Sequence, residues 1–312
     1  MIVYSRLGSK GNLGNQLFQI ASTIGIAIRN GQDYGFPEWA YSNYFSRTLP
    51  LYDSSIQYES VQEKNYHYSD VFVEGRNCDL NGWFQSEKYF HRETLKSYFR
   101  FKSEIVSDVK EKYKGVLSKK NILISVRRGD FLNHPYYFQL DYKYYFLAVT
   151  THFPDWKERN LIFTSDDIAY CKRHFQFLPN AIFVEDSFVI EQIILGSMCD
   201  DYVISNSTFS WWQAWFGETE TTRIIRPIQN LRGKFRLMND DKDYFPVRWT
   251  SFDSNSEKIG LKYKSLVLKG EFFKIVDLMQ FNFKLFKKKA KYFLKKIIFY
   301  HTWNFNSSYF NK

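Results

Sequence analysis

Ile122-Leu123-Ile124-Ser125-Val126-Arg127-Arg128-Gly129-Asp130 is an apolar run that breaks into two arginines, a glycine and an acid. A short apolar run bounded by a polar turn reads as a buried strand, and the pattern repeats downstream. Residues 140–153 have helical spacing, 161–165 read as a strand, 168–175 as a helix, 181–184 as a strand and 188–198 as a helix. A strand at 202–205, a helix at 209–216 closed by Gly217, and a strand at 223–226 complete the series. Strands alternating with helices at this rhythm predict an α/β fold with a parallel, doubly wound sheet. Ligands of such sheets bind beyond the carboxyl ends of the strands, so the residues just after each strand are the candidates for chemistry.

Three strand ends carry candidates. After the first stand Arg127 and Arg128, whose planar guanidinium forks suit the oxygens of a pyrophosphate; an ion pair with Asp130 or another acid is the competing use. After the second comes Thr164-Ser165-Asp166-Asp167. A carboxylate there accepts from a ribose or a base edge, or else caps the helix that follows. The fourth strand runs into Ser205-Asn206-Ser207-Thr208. Small hydroxyl residues at a helix start cap it and present donors beside its positive end, which makes a second anion-binding element.

Upstream, residues 2–7 read as a short strand, followed by Gly8, Gly11 and Gly14 and then by a helix over 17–28 closed by Gly31. A glycine loop leading into a helix lets backbone N–H groups approach an anion; a plain tight turn has the same signature. The segment 34–113 is irregular and aromatic-rich, with a strand expected at 71–73, a turn at Asn81-Gly82 and a helix from about Ser86. Residues 114–121 are the expected linker. At roughly 150 residues per domain, 312 residues predict two domains: an amino-terminal α/β domain over 1–117 and a Rossmann-like domain over 118–250, followed by a tail over 251–312.

The tail holds 13 lysines, no arginine and four acids, so it carries +9 of the chain's net +10. The body is therefore nearly neutral, unlike a nucleic-acid enzyme with a basic stripe. Phe272, Val276, Met279, Phe283, Phe286, Ala290, Phe293 and Ile297 recur at steps of three and four, with Lys284, Lys287, Lys288, Lys291 and Lys295 mostly elsewhere on the wheel. That is a basic amphipathic helix or pair of helices. Its apolar face either docks on the body or lies on an anionic membrane surface.

Apolar residues make up 44% of the chain and aromatic residues 20%, which excludes disordered and collagen-like classes. No leader-like start and no long apolar run is present, so a cytoplasmic protein is expected, peripheral on the inner membrane face if the tail binds there. Cys78, Cys171 and Cys199 lie far apart, without zinc-ligand spacing, and are expected to be buried thiols. The single Asp-x-Asp, Asp241-Lys242-Asp243, carries a lysine between its acids and lies past the last clear strand, so no metal site is expected.

Together these blocks resemble the bacterial α-1,2-fucosyltransferases of glycosyltransferase family 11. Gly11 to Gln19 resembles the family's opening loop, Val126 to Asp130 its arginine motif, and Phe163 to Asp167 with Ser205 to Trp212 its two later blocks. The blocks occur in the family's order between residue 8 and about residue 217. The resemblance implies a GT-B-like fold of two Rossmann-type domains facing a cleft. It also implies GDP-β-L-fucose as donor, no cofactor or metal, and inverting transfer to the 2-hydroxyl of an acceptor sugar such as galactose in surface polysaccharide synthesis, on a lipid-linked glycan. By the same resemblance Arg127 and Arg128 hold the diphosphate, Ser207 and Thr208, with Ser205 in the same donor site, assist them, Asp166 or Asp167 contacts the nucleoside, and Asn15 lies near the transferred sugar. Where the family carries a histidine two residues before the first arginine, this chain has Ser125, which cannot deprotonate a hydroxyl near neutral pH. Asp130 is the candidate base. Another linkage or acceptor, or a catalytically degenerate GDP-sugar-binding protein, are the alternatives.

Overall fold

The computed structural model describes residues 1–307, with side chains placed through residue 294. Residues Met1–Lys258 form one compact unit and Ile259–Lys312 a second.

The first unit contains two parallel sheets. One is built from β1 (Ile2–Val3), β2 (Tyr34–Gly35), β3 (Glu59–Gln62) and β4 (Cys78–Asn81) in the order β2-β1-β4-β3, with α1 (Leu13–Arg29) crossing from β1 to β2. Helices α2 (Arg92–Tyr98), α3 (Ser103–Lys112) and α4 (Lys114–Leu117) lead to the other sheet. That sheet is built from β5 (Asn121–Val126), α5 (Tyr142–His152), β6 (Asn160–Ser165), α6 (Ile168–Phe175), β7 (Ala181–Phe183), α7 (Val189–Gly196), β8 (Asp201–Ile204), α8 (Thr208–Gly217), β9 (Ile224–Pro227), α9 (Gly233–Met238) and β10 (Thr250–Phe252). Its strand order is β10-β9-β8-β5-β6-β7, all parallel. The alternation expected from the sequence between residues 122 and 226 is present element by element.

Residues 71–73 are not a strand. They are extended, but the side-chain amide of Asn30 takes the place of a neighbouring strand: its Nδ2 donates to the Val71 carbonyl (2.8 Å) and its Oδ1 accepts from the Val73 N–H (3.1 Å). The strands that do occur nearby are four residues each: β3 is polar and exposed, and β4 alternates Cys78 and Leu80 inward with Asp79 and Asn81 half-buried. The expected linker holds α4, and β5 begins directly at its end.

The core owes its content to the aromatic composition. Phe18 of α1 lies with its ring centroid 4.6 Å from Trp211 and 5.2 Å from Trp212 of α8, and Phe90 stacks on Trp212 at 5.5 Å. Trp211 Nε1 donates to the Tyr244 carbonyl (2.9 Å), which satisfies the one polar atom that its burial would otherwise strand. Cys78, Cys171 and Cys199 are buried free thiols. Burial pushes the Cys171 thiol up to about 12, and the thiol therefore stays protonated near neutral pH.

The second unit contains one continuous helix, α10 (Lys264–Ser307). Leu268, Phe272, Ile275, Met279, Phe283, Phe286 and Phe293 are exposed along one stripe, while Lys274, Lys284, Lys287, Lys288 and Lys291 fall outside it. The side chains of Lys295 and Ile297 lie outside the described ones. Among the described residues no helix is long and apolar enough to cross a membrane.

Candidate active site

Sheet register assembles the site. β5 and β6 run in step from Asn121↔Asn160 to Val126↔Ser165, so Arg127 and Asp166 emerge side by side at the carboxyl edge. β8 flanks β5 on its other side, Ser125↔Ile204, and the Ser205 N–H donates to the Ser125 carbonyl (3.1 Å). The first turns of α1 and α8 close the space above that edge. Gly14 is required there: a Cβ at this position would lie 2.6 Å from the Phe209 backbone nitrogen and 2.7 Å from the Thr208 carbonyl carbon. Two helix amino termini thus abut, and Asn12, Leu13, Gly14, Ser207, Thr208 and Phe209 all line one cavity of about 500 Å³. Helix amino termini favour an anion through their unpaired N–H groups and their dipoles. α1 has no side-chain cap at Asn12, whereas Ser207 caps α8 by accepting from the Phe209 N–H (3.2 Å).

Arg127 lines the cavity with Asp130 and Asp166. Its Nη2 donates to Asp130 Oδ1 (2.6 Å), and its Nε lies 3.2 Å from both that oxygen and Asp166 Oδ2. Asp166 Oδ1 also accepts from the Arg128 N–H (2.9 Å). Gly129 permits this approach, because a Cβ there would run into the Asp166 carboxylate. Arg127 is therefore held at the strand end, in the cavity lining, by two acids.

The structure brings Asn15, Arg127, Asp130, Asp166, Ser207 and Thr208 to the cavity and sets Arg128, Asp167 and Ser205 behind its wall. The Arg128 side chain is buried, stacked at 3.7 Å on the Tyr170 ring, and its Nε lies 3.2 Å from Asp167 Oδ2. Asp167 also caps α6 through the Tyr170 N–H (3.0 Å). Of the two sequence readings for the acids, Asp167 takes the cap and Asp166 faces the cavity. Ser205 is fully buried, with its hydroxyl 2.7 Å from Ser210 Oγ. Ser125 reaches the cavity floor and shares the same network: its hydroxyl lies 2.7 Å from Ser210 Oγ and donates to Gln213 Oε1. The carboxylates of Asp241 and Asp243 are engaged elsewhere, Asp241 by the N–H groups of Asn230 and Leu231 and Asp243 by the Tyr68 N–H and Lys88.

Other lining residues were not legible at the strand ends. Tyr66, Gln85, Tyr136, Tyr137 and Asn230 come from irregular segments, and Phe235 from the short helix α9. Tyr137 stacks on Phe131 at 4.1 Å and Tyr136 on Phe235 at 4.4 Å, which gives the cavity an aromatic wall of the kind that packs against sugar or base faces. Burial, with Asp130 nearby, raises the Tyr137 phenol above its ordinary range, and that of Tyr66 is pushed up strongly by burial. Both are neutral donors near neutral pH. Outside the cavity, Glu63 accepts from the N–H groups of Trp83 (2.6 Å) and Phe84 (2.9 Å) and so fixes the loop that carries Trp83 and Gln85 to the lining.

Strand ends and two helix termini that bring an arginine and unpaired N–H groups to one pocket suit an anionic ligand, and comparison with known proteins gives the class. The chain belongs to glycosyl transferase family 11, whose model matches residues 9–253, and is a glycosyltransferase. It is 27% identical over 207 residues to the O-antigen biosynthesis glycosyltransferase WbnK of Escherichia coli, covering 59% of this chain and 68% of that one. It is 29% identical over 271 residues to an α-1,2-colitosyltransferase of Escherichia coli, covering 72% and 91%. It is 25% identical over 280 residues to the galactoside 2-α-L-fucosyltransferase SEC1 of Bos taurus, covering 80% and 74%. Among solved structures, the fucosyltransferase NodZ from Bradyrhizobium matches with a TM-score of 0.48 at 13% identity, over 68% of this chain and 91% of that one.

Proposed function

We propose that the protein is an inverting galactoside α-1,2-fucosyltransferase that takes L-fucose from GDP-β-L-fucose and places it on the 2-hydroxyl of an acceptor galactose during surface polysaccharide synthesis. The observation that carries this reading is Arg127, held by Asp130 and Asp166 at the β5 edge where the amino termini of α1 and α8 meet. These are fixed positive groups for a departing diphosphate, and with them the reading assigns charge neutralisation to the protein rather than to a divalent metal. The name of the fucosyl relative supports the sugar, those of the colitosyl and fucosyl relatives the linkage, and that of the O-antigen relative the pathway class.

In the step itself the acceptor 2-hydroxyl attacks the anomeric carbon from the face opposite the diphosphate. The bond from that carbon to the phosphate oxygen breaks, GDP leaves, and the β-linked donor gives an α-linked product. Asp130 is the candidate to receive the hydroxyl proton, its carboxylate freed as Arg127 loosens their resting contact to hold the diphosphate. Asp166 contacts the nucleoside, Ser207 and Thr208 donate to the diphosphate, and Asn15 contacts the transferred sugar. Arg128, Asp167 and Ser205 act from behind the wall by holding the β5, β6 and β8 ends in place. In this reading residues 1–117 and 118–250 are the two domains of a GT-B arrangement, each supplying one of the two sheets. The apolar stripe of α10 lies in an anionic membrane surface, its flanking lysines meeting the headgroups, where a lipid-linked acceptor is presented.

Incubating the protein with GDP-fucose and β-galactosides in the presence of a chelator, followed by linkage analysis of the product, tests the reading. An α-1,2-fucosylated product is expected; GDP binding without any turnover would instead mark a degenerate binding protein. The colitosyl relative favours a second reading, in which the donor sugar is colitose, the 3-deoxy form of L-fucose. Competition between the two GDP-sugars for one acceptor separates them.

A further inference from the structure

Four neutral side chains form a hydrogen-bonded relay along the cavity wall. Asn230 Nδ2 donates to the Tyr66 hydroxyl (2.8 Å), that hydroxyl donates to Gln85 Oε1 (3.0 Å), and Gln85 Nε2 donates to Asn15 Oδ1 (2.8 Å). All four line the cavity. No charged side chain takes part in it.

The Asn230 end is a built site. The residue is 2% exposed, its N–H donates to Asp241 Oδ2 (2.7 Å), and its carbonyl accepts from the Phe138 N–H (2.8 Å) and Asn206 Nδ2 (2.9 Å). With backbone and Nδ2 satisfied, Asn230 Oδ1 alone is buried without a hydrogen-bond partner. An orphaned buried amide oxygen is costly, and a ligand donor removes that cost. The relay also has two polarities. Amide groups turn over and a phenol hydroxyl rotates, so Asn15 and Asn230 exchange donor and acceptor roles when the whole chain reverses. In either polarity one end offers a donor and the other an acceptor. A phosphate oxygen only accepts, whereas a sugar hydroxyl both donates and accepts and so fits either end in either polarity.

Topology places the relay beside the anion site. Asn15 lies in the first turn of α1, whose Gly14 touches Thr208 at the head of α8. Asn230 follows β9, which lies on the β8 side of β5, while Asp166 follows β6 on the other side. A sugar joined to a diphosphate at Arg127 and Thr208 lies one bond from that diphosphate, away from the nucleoside. We propose that the Asn15–Gln85–Tyr66–Asn230 relay is the hydroxyl-binding subsite for the transferred sugar, with Tyr66 and Asn230 as specificity-determining residues. The inference rests on the nucleotide-sugar reading above and adds two residues and a chemistry to it.

Calorimetric titration of GDP and of GDP-β-L-fucose into the full-length wild type, Tyr66→Phe and Asn230→Leu tests the inference. Tyr66→Phe keeps the ring and removes the bridging hydroxyl, and Asn230→Leu keeps the branching at Cγ and removes both polar amide atoms. GDP affinity is expected to stay within about twofold, and the ratio of GDP-fucose to GDP affinity to fall about tenfold, the loss of a hydrogen bond whose partner stays buried. Because the relay acts as one unit, the double variant is expected to lose no more than about the larger single effect. An unchanged ratio in both variants, or a loss of GDP affinity equal to that of GDP-fucose, overturns the subsite. A wild type that fails to bind GDP overturns the nucleotide-sugar reading itself.

Discussion

Replacing Arg127 by alanine removes the one guanidinium that the fold aims into the cavity from the β5 edge. Hydrogen bonds to a charged acceptor contribute about 1.5–3 kcal/mol each, and a guanidinium fork makes two of them to a phosphate. Part of that gain is offset, because Arg127 must loosen its resting contacts with Asp130 (2.6 Å) and Asp166 (3.2 Å). A net loss of about 3 kcal/mol remains, equal to a roughly 100-fold weaker Kd for GDP. The two acids are then left facing the diphosphate without a counter-charge, so the double variant Arg127→Ala/Asp130→Asn is expected to recover about tenfold of that loss by removing one repulsion. Stability changes little, because partly exposed ion pairs contribute only about 0–1 kcal/mol. Titration of GDP into each variant, alongside thermal melting, reads both quantities. A Kd for Arg127→Ala within about threefold of wild type, in a protein that melts normally, refutes the diphosphate role.

The remaining predictions concern packing, pH and the tail. Gly14→Ala forces backbone apart at the junction of α1 and α8, since neither Phe209 nitrogen nor Thr208 carbonyl carbon is a flexible side-chain end; a destabilisation of about 1–3 kcal/mol in denaturant unfolding and a loss of GDP binding are expected. Burial raises Glu63 from 4.5 to about 7, against the opposing N–H groups of Trp83 and Phe84 and the charge of Lys10. The folded state therefore binds the proton more tightly, so the stability linked to this group is present below about pH 4.5 and is lost as pH rises to about 7; Glu63→Gln is expected to flatten that slope in pH-dependent melting. Deleting residues 259–312 leaves the compact unit Met1–Lys258 intact, so GDP affinity is expected to persist while sedimentation with anionic vesicles is lost. Vesicle binding by the truncated chain would contradict the role of α10.

The doubly wound sheet was legible because fully buried parallel strands are continuous apolar runs, as in Ile122 to Val126 and Leu161 to Phe163, and because α5, α6 and α8 open on the capping residues Asp141, Asp167 and Ser207. The same transparency delivered Arg127, Asp166, Ser207 and Thr208, which sit within a few residues of strand ends. Their neighbours Arg128 and Asp167 could not be told apart from them by type; only register and the Tyr170 ring decide that one arginine and one acid turn inward. Of the first sheet only β1 was legible, as the first two residues of the strand expected over 2–7, while β2 has two residues and β3 and β4, at four polar-rich residues each, are too short to stand out. Residues 71–73 looked like a strand from their valines, yet Asn30 satisfies their backbone from a helix end. Asn230 lies three residues past β9, so the strand-end rule, extended to that strand, would have reached it. Tyr66 and Gln85 carry no local signal, because tertiary contact alone joins them to Asn15.

The central claim is that fixed positive groups of the protein hold a guanosine diphosphate without a metal. Titrating GDP, with UDP and ADP as controls, into the full-length protein in the presence of a chelator tests it most directly, because no knowledge of the acceptor is needed. Micromolar binding selective for GDP, lost in Arg127→Ala, is the expected result. Absence of GDP binding, or binding that appears only when a divalent metal is restored, would contradict the claim and leave Arg127 a structural partner of Asp130 and Asp166.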